Sequence, residues 1–188
     1  MFKRICLFVS VFFWFCGPVS AAVLAPLPPL ISLPGDARIT VGFSPGGGAE
    51  AAILAGIGQA RESIRVAASS FTSRTVSWAL LDARKRGVDV RVVADKEWNS
   101  GNRYSAVNFL ANQGVPVRLN GNYAIFHHKF MVIDGRHVQT GSYNYSAAAA
   151  NKNAENVLLL WDVPQVARQY EREWQRLWSE SEDVKARY

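Results

Sequence analysis

Residues 125–146 read IFHHKFMVIDGRHVQTGSYNYS, and the pattern is two strands joined at Asp134-Gly135. An Asp-Gly pair between apolar runs favours a two-residue hairpin turn, because both central positions of such a turn take positive φ. On a strand, residues two apart share a face, so His127, Lys129 and Met131 point one way and His128, Phe130 and Val132 the other. The second strand passes Val138 and Thr140 to reach Gly141, and Ser142 and Asn144 again share a face. His127 beside the fixed charge of Lys129, with hydroxyl and amide donors from the next strand, suits a phosphate whose charge must be held while bonds at phosphorus change. A histidine there can serve as nucleophile or as acid and base. Asp134 has a purely structural explanation in the turn.

Other chemistries fit the same residues less well. His127, Asp134 and Ser142 occur in the order of one protease triad, but they lie within one short hairpin, and Ser142 sits in Thr-Gly-Ser-Tyr-Asn rather than in a nucleophile elbow. His127 and His128 are adjacent and face opposite sides of a strand, so they are poorly placed to ligate one ion. Neither an H-E-x-x-H pattern nor a cysteine cluster is present. His128 and His137 read as structural or solvated. The stretch Ser44-Pro45-Gly46-Gly47-Gly48 lacks the Lys-Ser/Thr of a nucleotide-binding loop and reads as a connector.

Upstream, short apolar strands alternate with amphipathic helices. Strands are expected at Arg38 to Phe43, Ser63 to Ser70, Val88 to Ala94 and Pro116 to Leu119. Helices are expected at Ala49 to Ala60, Arg74 to Arg86 and Ser105 to Gln113. Gly87, after Arg84, Lys85 and Arg86, and Gly114 mark helix ends. Downstream, Val166, Tyr170, Trp174, Leu177 and Trp178 fall at helical spacing from Pro164 to Trp178, an amphipathic helix whose aromatic stripe is core rather than a base-stacking platform. Repeating strand and helix imply an α/β layered domain.

The chain has 188 residues and a formal net charge of +6. Residues 1–21 read as a cleavable signal peptide: Lys3 and Arg4, an apolar core Ile5 to Phe15, and the small-residue site Val19-Ser20-Ala21. Export to the periplasm or beyond is the expectation. Both cysteines, Cys6 and Cys16, fall inside it, which leaves the mature chain no disulfide and no thiolate metal site. Residues 22–36 hold four prolines and no basic residue, an extended leader, and one domain is expected over 37–188. The charge stays positive without Lys3 and Arg4, which favours polyanionic partners.

His127-x-Lys129, Asp134 and Gly141-Ser142-x-Asn144, at their spacing, resemble the HKD motif of the phospholipase D superfamily. Asn153-Ala154-Glu155-Asn156-Val157 resembles the segment in which small bacterial members place a glutamate that orients the motif histidine. Val41-Gly42-Phe43-Ser44-Pro45, Ser69-Ser70-Phe71-Thr72 and Arg86-Gly87-Val88-Asp89-Val90 extend the likeness, to small secreted endonucleases, over the domain from residue 38 onward. The resemblance implies a layered α-β-α domain with a mixed central sheet, and a reaction that needs no metal or other cofactor. The catalytic set it implies is His127, Lys129, Asp134, Ser142, Asn144 and Glu155. His127 would form a phosphohistidine, Lys129, Ser142 and Asn144 would bind phosphate, and Asp134 would support geometry and charge around the site. Glu155 would fix the histidine tautomer. One motif per chain implies a homodimer that shares one site, the partner's copy of the motif histidine protonating the leaving oxygen.

The motif defines the reaction better than the substrate. Basic balance, the single-motif format, and basic residues from Arg84 to Arg91 and at Arg118 favour nucleic acid. Hydrolysis of phosphatidylcholine-type lipids to phosphatidic acid is the alternative, although no long apolar insertion is present. A non-catalytic phosphate-binding module is the third reading.

Overall fold

The computed structural model describes residues 27–28 and 30–185; the expected signal peptide lies outside them. The part of the leader over 31–36 contains no helix or strand. Eight strands and six helices follow: β1 (Arg38–Ser44), α1 (Gly48–Gln59), β2 (Ser63–Ala68), α2 (Arg74–Lys85), β3 (Asp89–Asp95), α3 (Lys96–Ser100), α4 (Ala106–Asn112), β4 (Val117–Asn120), β5 (Lys129–Ile133), β6 (His137–Gly141), α5 (Ala147–Asn151), β7 (Glu155–Trp161), α6 (Pro164–Ser179) and β8 (Glu182–Asp183).

The strands form one mixed sheet in the order β1-β7-β6-β5-β2-β3-β4-β8. Pairing is parallel for β2 with β3 and for β3 with β4, and antiparallel elsewhere. Helices cover both faces, so the central strands read as unbroken apolar runs. In β5, Met131 and Ile133 join Ile53, Ile57, Val76, Leu80 and Leu110 from α1, α2 and α4 in one core. Phe130 and Val132 face the other way, into a core closed by Ala167, Trp174 and Leu177 of α6. The expected layered α/β domain is the one observed.

The aromatic stripe of α6 is core, as expected. Trp174 stacks on Trp178 with centroids 4.9 Å apart, and its buried indole Nε1 donates to Val66 O at 2.9 Å, which removes the cost of burying that N–H. Helices α2 and α4 stop just before Gly87 and Gly114. Ser73 caps α2 by accepting from Val76 N. Residues 45–47 form a turn between β1 and α1, the connector expected of the glycine-rich stretch.

Strand β5 begins at Lys129 rather than including His127. The backbone carbonyl of His128 instead accepts from Ser69 N at 2.8 Å. Strand β7 has no counterpart in the elements expected from sequence. It inserts between β1 and β6, with Glu155 opposite Ser44 and Val157 opposite Gly141.

Candidate active site

Strand direction gathers the polar residues of the motif at one edge of the sheet. The C-terminal ends of β2, β3 and β4 lie there with the start of β5 at Lys129, the end of β6 at Gly141 and the start of β7 at Glu155. An edge where parallel strands end is where open α/β sheets place their ligand crevices.

His127 is exposed on the segment that enters β5. Its backbone is pinned from three sides. Phe126 N donates to Asp95 Oδ2 at 2.8 Å, Ser69 N reaches His128 O, and Lys129 Nζ donates to His127 O at 2.9 Å. Lys129 is only 7% exposed. Burial pulls its ammonium below the ordinary lysine range, and the nearby Glu155 carboxylate opposes that shift. His128 faces α6 and shares a recess with His127 and Lys129. Its ring sits edge-on between Phe126 and Phe130, at 5.5 and 5.4 Å, with Glu173 3.8 Å from Nε2. An open recess of about 410 Å³ beside His127 reaches Thr140, Gly141, Gln169, Tyr170 and Glu173.

Beyond β6 the chain keeps its alternation. Tyr143 and Tyr145 are buried; Tyr145 Oη donates to Gln139 Oε1 at 2.7 Å, and Tyr143 Oη bonds Glu50 Oε1 at 3.4 Å. Ser142 and Asn144 are left more accessible. Ser142 Oγ donates to Glu155 Oε2 at 2.5 Å and accepts from Asn156 N at 3.1 Å. Glu155 Oε1 accepts from Asn153 Nδ2 at 2.9 Å. Glu155 therefore joins the site through Ser142 and Asn153, and no bond links it to His127. Asn144 Oδ1 is buried without a hydrogen-bond partner, an amide unengaged at the edge of the site. The two β strands approach closely at Gly141, where a Cβ would lie 2.2 Å from Asn156 O, so only glycine keeps β6 and β7 in register beside Ser142.

Asp134 is not part of this edge. It lies at the far end of β5 from Lys129, roughly 15 Å away at the rise of a strand. Its carboxylate accepts from the backbone amides of Arg61 at 2.9 Å, Glu62 at 2.8 Å and Ser63 at 2.9 Å. It occupies the turn with φ 52°, followed by Gly135 at 61°. The place given to it in the catalytic set is corrected: three backbone donors hold it where β2 begins, far from the motif histidine. His137 is also at that far edge, its Nδ1 accepting from Asp162 N at 2.9 Å, which fits the structural reading. Residues that sequence reasoning missed are Asn153 and Asn156, which complete the hydrogen bonds of Glu155 and Ser142. Their signal was their position on either side of Glu155, in the segment already singled out.

Among the described residues, no three His, Cys, Asp or Glu side chains converge to hold a metal ion. An exposed histidine, a buried lysine and a carboxylate–serine pair on one sheet edge can bind a phosphodiester and exchange its ester oxygen. The fold and site define a phosphodiesterase.

The family described as "Cardiolipin synthase, PLD-like domain" matches residues 53–178. A protein named phospholipase D from Rickettsia bellii is 34% identical over 137 residues, 73% of this chain and 67% of the relative. A mitochondrial cardiolipin hydrolase from Xenopus laevis is 36% identical over 121 residues, 64% of this chain and 57% of its own length. Among solved structures, the phospholipase D family member Nuc from Salmonella typhimurium superposes with a TM-score of 0.79 at 39% identity, over 80% of this chain and all of that one. NucT from Helicobacter pylori gives 0.72 at 26% identity, over 79% and all of its chain. The chain belongs to the phospholipase D superfamily.

Proposed function

We propose that this phosphodiesterase is an endonuclease that cuts nucleic acid without a metal, at a site shared by two copies of the chain. The carrying observation is the pairing of an exposed His127 with a buried Lys129 on the motif edge, in a chain with one such motif. His127 of one copy attacks phosphorus, forming a P–N bond as the P–O bond to the leaving oxygen breaks. The partner's His127 gives that oxygen its proton. The same partner imidazole then takes a proton from water, whose oxygen displaces the histidine and regenerates the enzyme. Lys129 and Asn144 hold the non-bridging oxygens, and Glu155 positions Ser142.

Nucleic acid is favoured by the net charge, +6 over the full chain and still positive in the exported form without Lys3 and Arg4, which suits a polyanion, and by the likeness to Nuc over that protein's whole length. The names of the Rickettsia and Xenopus relatives keep phospholipid as the second reading. A shared site is supported by an apolar stripe near the motif edge. Ile39, Val41 and Phe43 of β1 are 53%, 55% and 63% exposed, and Leu158 of β7 is 38% exposed. The register Val41↔Leu158 puts all four on one face, a surface a second copy would bury. The exported form, cleaved after Ala21, works in the periplasm or outside the cell; Lys3, Arg4 and the apolar run that follows support this.

The test supplies DNA, RNA and phosphatidylcholine vesicles in excess chelator to the native protein and to His127→Ala. Cleavage of nucleic acid that disappears in the variant is expected. Cleavage of lipid alone, or activity that survives the substitution or requires added metal, overturns the proposal.

A further inference from the structure

A second pocket, separate from the motif, lies between α2 and α4. It encloses about 320 Å³, within the range of small-ligand sites. Thr72, Arg74, Trp78, Arg103, Tyr104 and Phe109 supply most of its wall. No acidic side chain lines it. Trp78 and Tyr104 are 50% and 67% exposed, and Phe109 meets Trp78 edge-on at 5.4 Å. The Arg103 guanidinium lies 4.6 Å above the Tyr104 ring and bonds its hydroxyl. Neither Arg74 nor Arg103 has a carboxylate partner among the described residues. Guanidinium groups without a carboxylate partner, beside flat, exposed rings, offer what an unpaired nucleotide requires: cations for its phosphate and, on the Tyr104 face away from Arg103 and on Trp78, π-faces for its base.

The pocket is tied by backbone to the motif. Thr72 N and Ser73 N both donate to Tyr145 O, at 2.8 and 2.7 Å, and Phe71 bridges Tyr145. Tyr145 follows Asn144 directly. Asn99 holds the other wall: its Oδ1 accepts from Ser105 Oγ at 3.0 Å, and its Nδ2 donates to Ser69 O at 2.7 Å. Ser69 is the residue whose amide grips His128.

From this arrangement we infer that the pocket between α2 and α4 binds an unpaired nucleotide of the substrate strand away from the scissile phosphate, so that single strands are preferred to duplex. The base stacks on Tyr104 and Trp78, and Arg74 and Arg103 hold the adjacent phosphate. This rests on the nuclease reading and deepens it. A base locked in a duplex cannot present its face to these rings.

The experiment compares native protein with Arg74→Gln/Arg103→Gln, Tyr104→Leu and Tyr104→Phe. The substrates are a single-stranded oligonucleotide, its duplex, and bis(p-nitrophenyl) phosphate, which is too small to span both sites. The double variant and Tyr104→Leu should raise KM for the single strand roughly tenfold with kcat little changed. Tyr104→Phe should restore the native KM, and bis(p-nitrophenyl) phosphate turnover should not move. An unchanged single-strand KM, or an equal loss on the small substrate, overturns the inference. So does native KM for the duplex as low as for the single strand. If the native enzyme hydrolyses the small substrate but cuts no oligonucleotide, the nuclease reading fails by itself. Fluorescence anisotropy of the labelled single strand then decides the pocket: weaker binding in the variants supports it and equal binding sinks it. Loss of binding to phosphatidylcholine vesicles rather than to the oligonucleotide also overturns it.

Discussion

Ser142 Oγ donates to Glu155 Oε2 at 2.5 Å, joining the end of β6 to the start of β7, while the same oxygen accepts from Asn156 N. Ser142 thus spends its one donor on Glu155. Ser142→Ala and Glu155→Ala are expected to lower kcat on bis(p-nitrophenyl) phosphate by roughly ten- to a hundredfold, the range seen when a supporting partner of an active group is lost. Glu155→Gln retains an acceptor for Ser142 and should lose less than Glu155→Ala. Equal losses in the two Glu155 variants would show that the charge, not the bond, carries the effect.

Asp134 should matter for stability and not for turnover. Asp134→Ala strands the amides of Arg61, Glu62 and Ser63 and is expected to cost about 2–3 kcal/mol in urea unfolding. Asp134→Asn keeps an acceptor and tolerates the positive φ, so its cost should be smaller. Activity per folded molecule should stay near native in both. A large fall in kcat with normal stability would return Asp134 to the catalytic set.

Lys129 is expected to oppose folding while serving the site. Burial lowers its pKa in the folded state relative to the unfolded chain, so the unfolded state holds the proton more tightly. The penalty is complete at neutral pH, and it fades as pH rises through the folded-state pKa toward the ordinary lysine value. Lys129→Met removes that penalty, so it should stabilise the protein at neutral pH and abolish cleavage. Its advantage over native should shrink in alkaline buffer. Thermal unfolding across that pH range is the check, and a variant less stable at neutral pH would contradict the assignment.

The apolar stripe on β1 should hold the two copies together. Val41→Lys and Phe43→Lys place charge on exposed positions, so the fold should survive. Light scattering should find the native protein as a dimer and these variants as monomers with little activity. A monomeric native protein with full activity would refute the shared site.

Much of the fold was legible because its elements obey simple periods. The run from His127 to Val132 alternates faces as a strand does, and the helix expected over Arg74 to Arg86 announces its end with a basic last turn and Gly87. Strand β7 was not legible as a strand, because Val157–Trp161 is a continuous apolar run and only pairing with β1 and β6 reveals it. For the site, the spacing of His127, Lys129, Ser142 and Asn144 reads as one polar edge, although β5 begins only at Lys129. The position of Asp134 could not be read that way. Seven residues after His127 in sequence, it lies a strand's length away, and its partners at Arg61, Glu62 and Ser63 come from a distant segment. The bond from Glu155 to Ser142 likewise needs the β6–β7 register, which no local pattern specifies.

The most direct test of the phosphohistidine is to trap it. The protein is mixed in chelator with an oligonucleotide carrying radiolabelled phosphate and quenched within the first turnover, and its peptides are mapped. Label that is stable in alkali, labile in acid and confined to His127 is the expected result. Turnover without protein-bound label, or label on another residue, would contradict it.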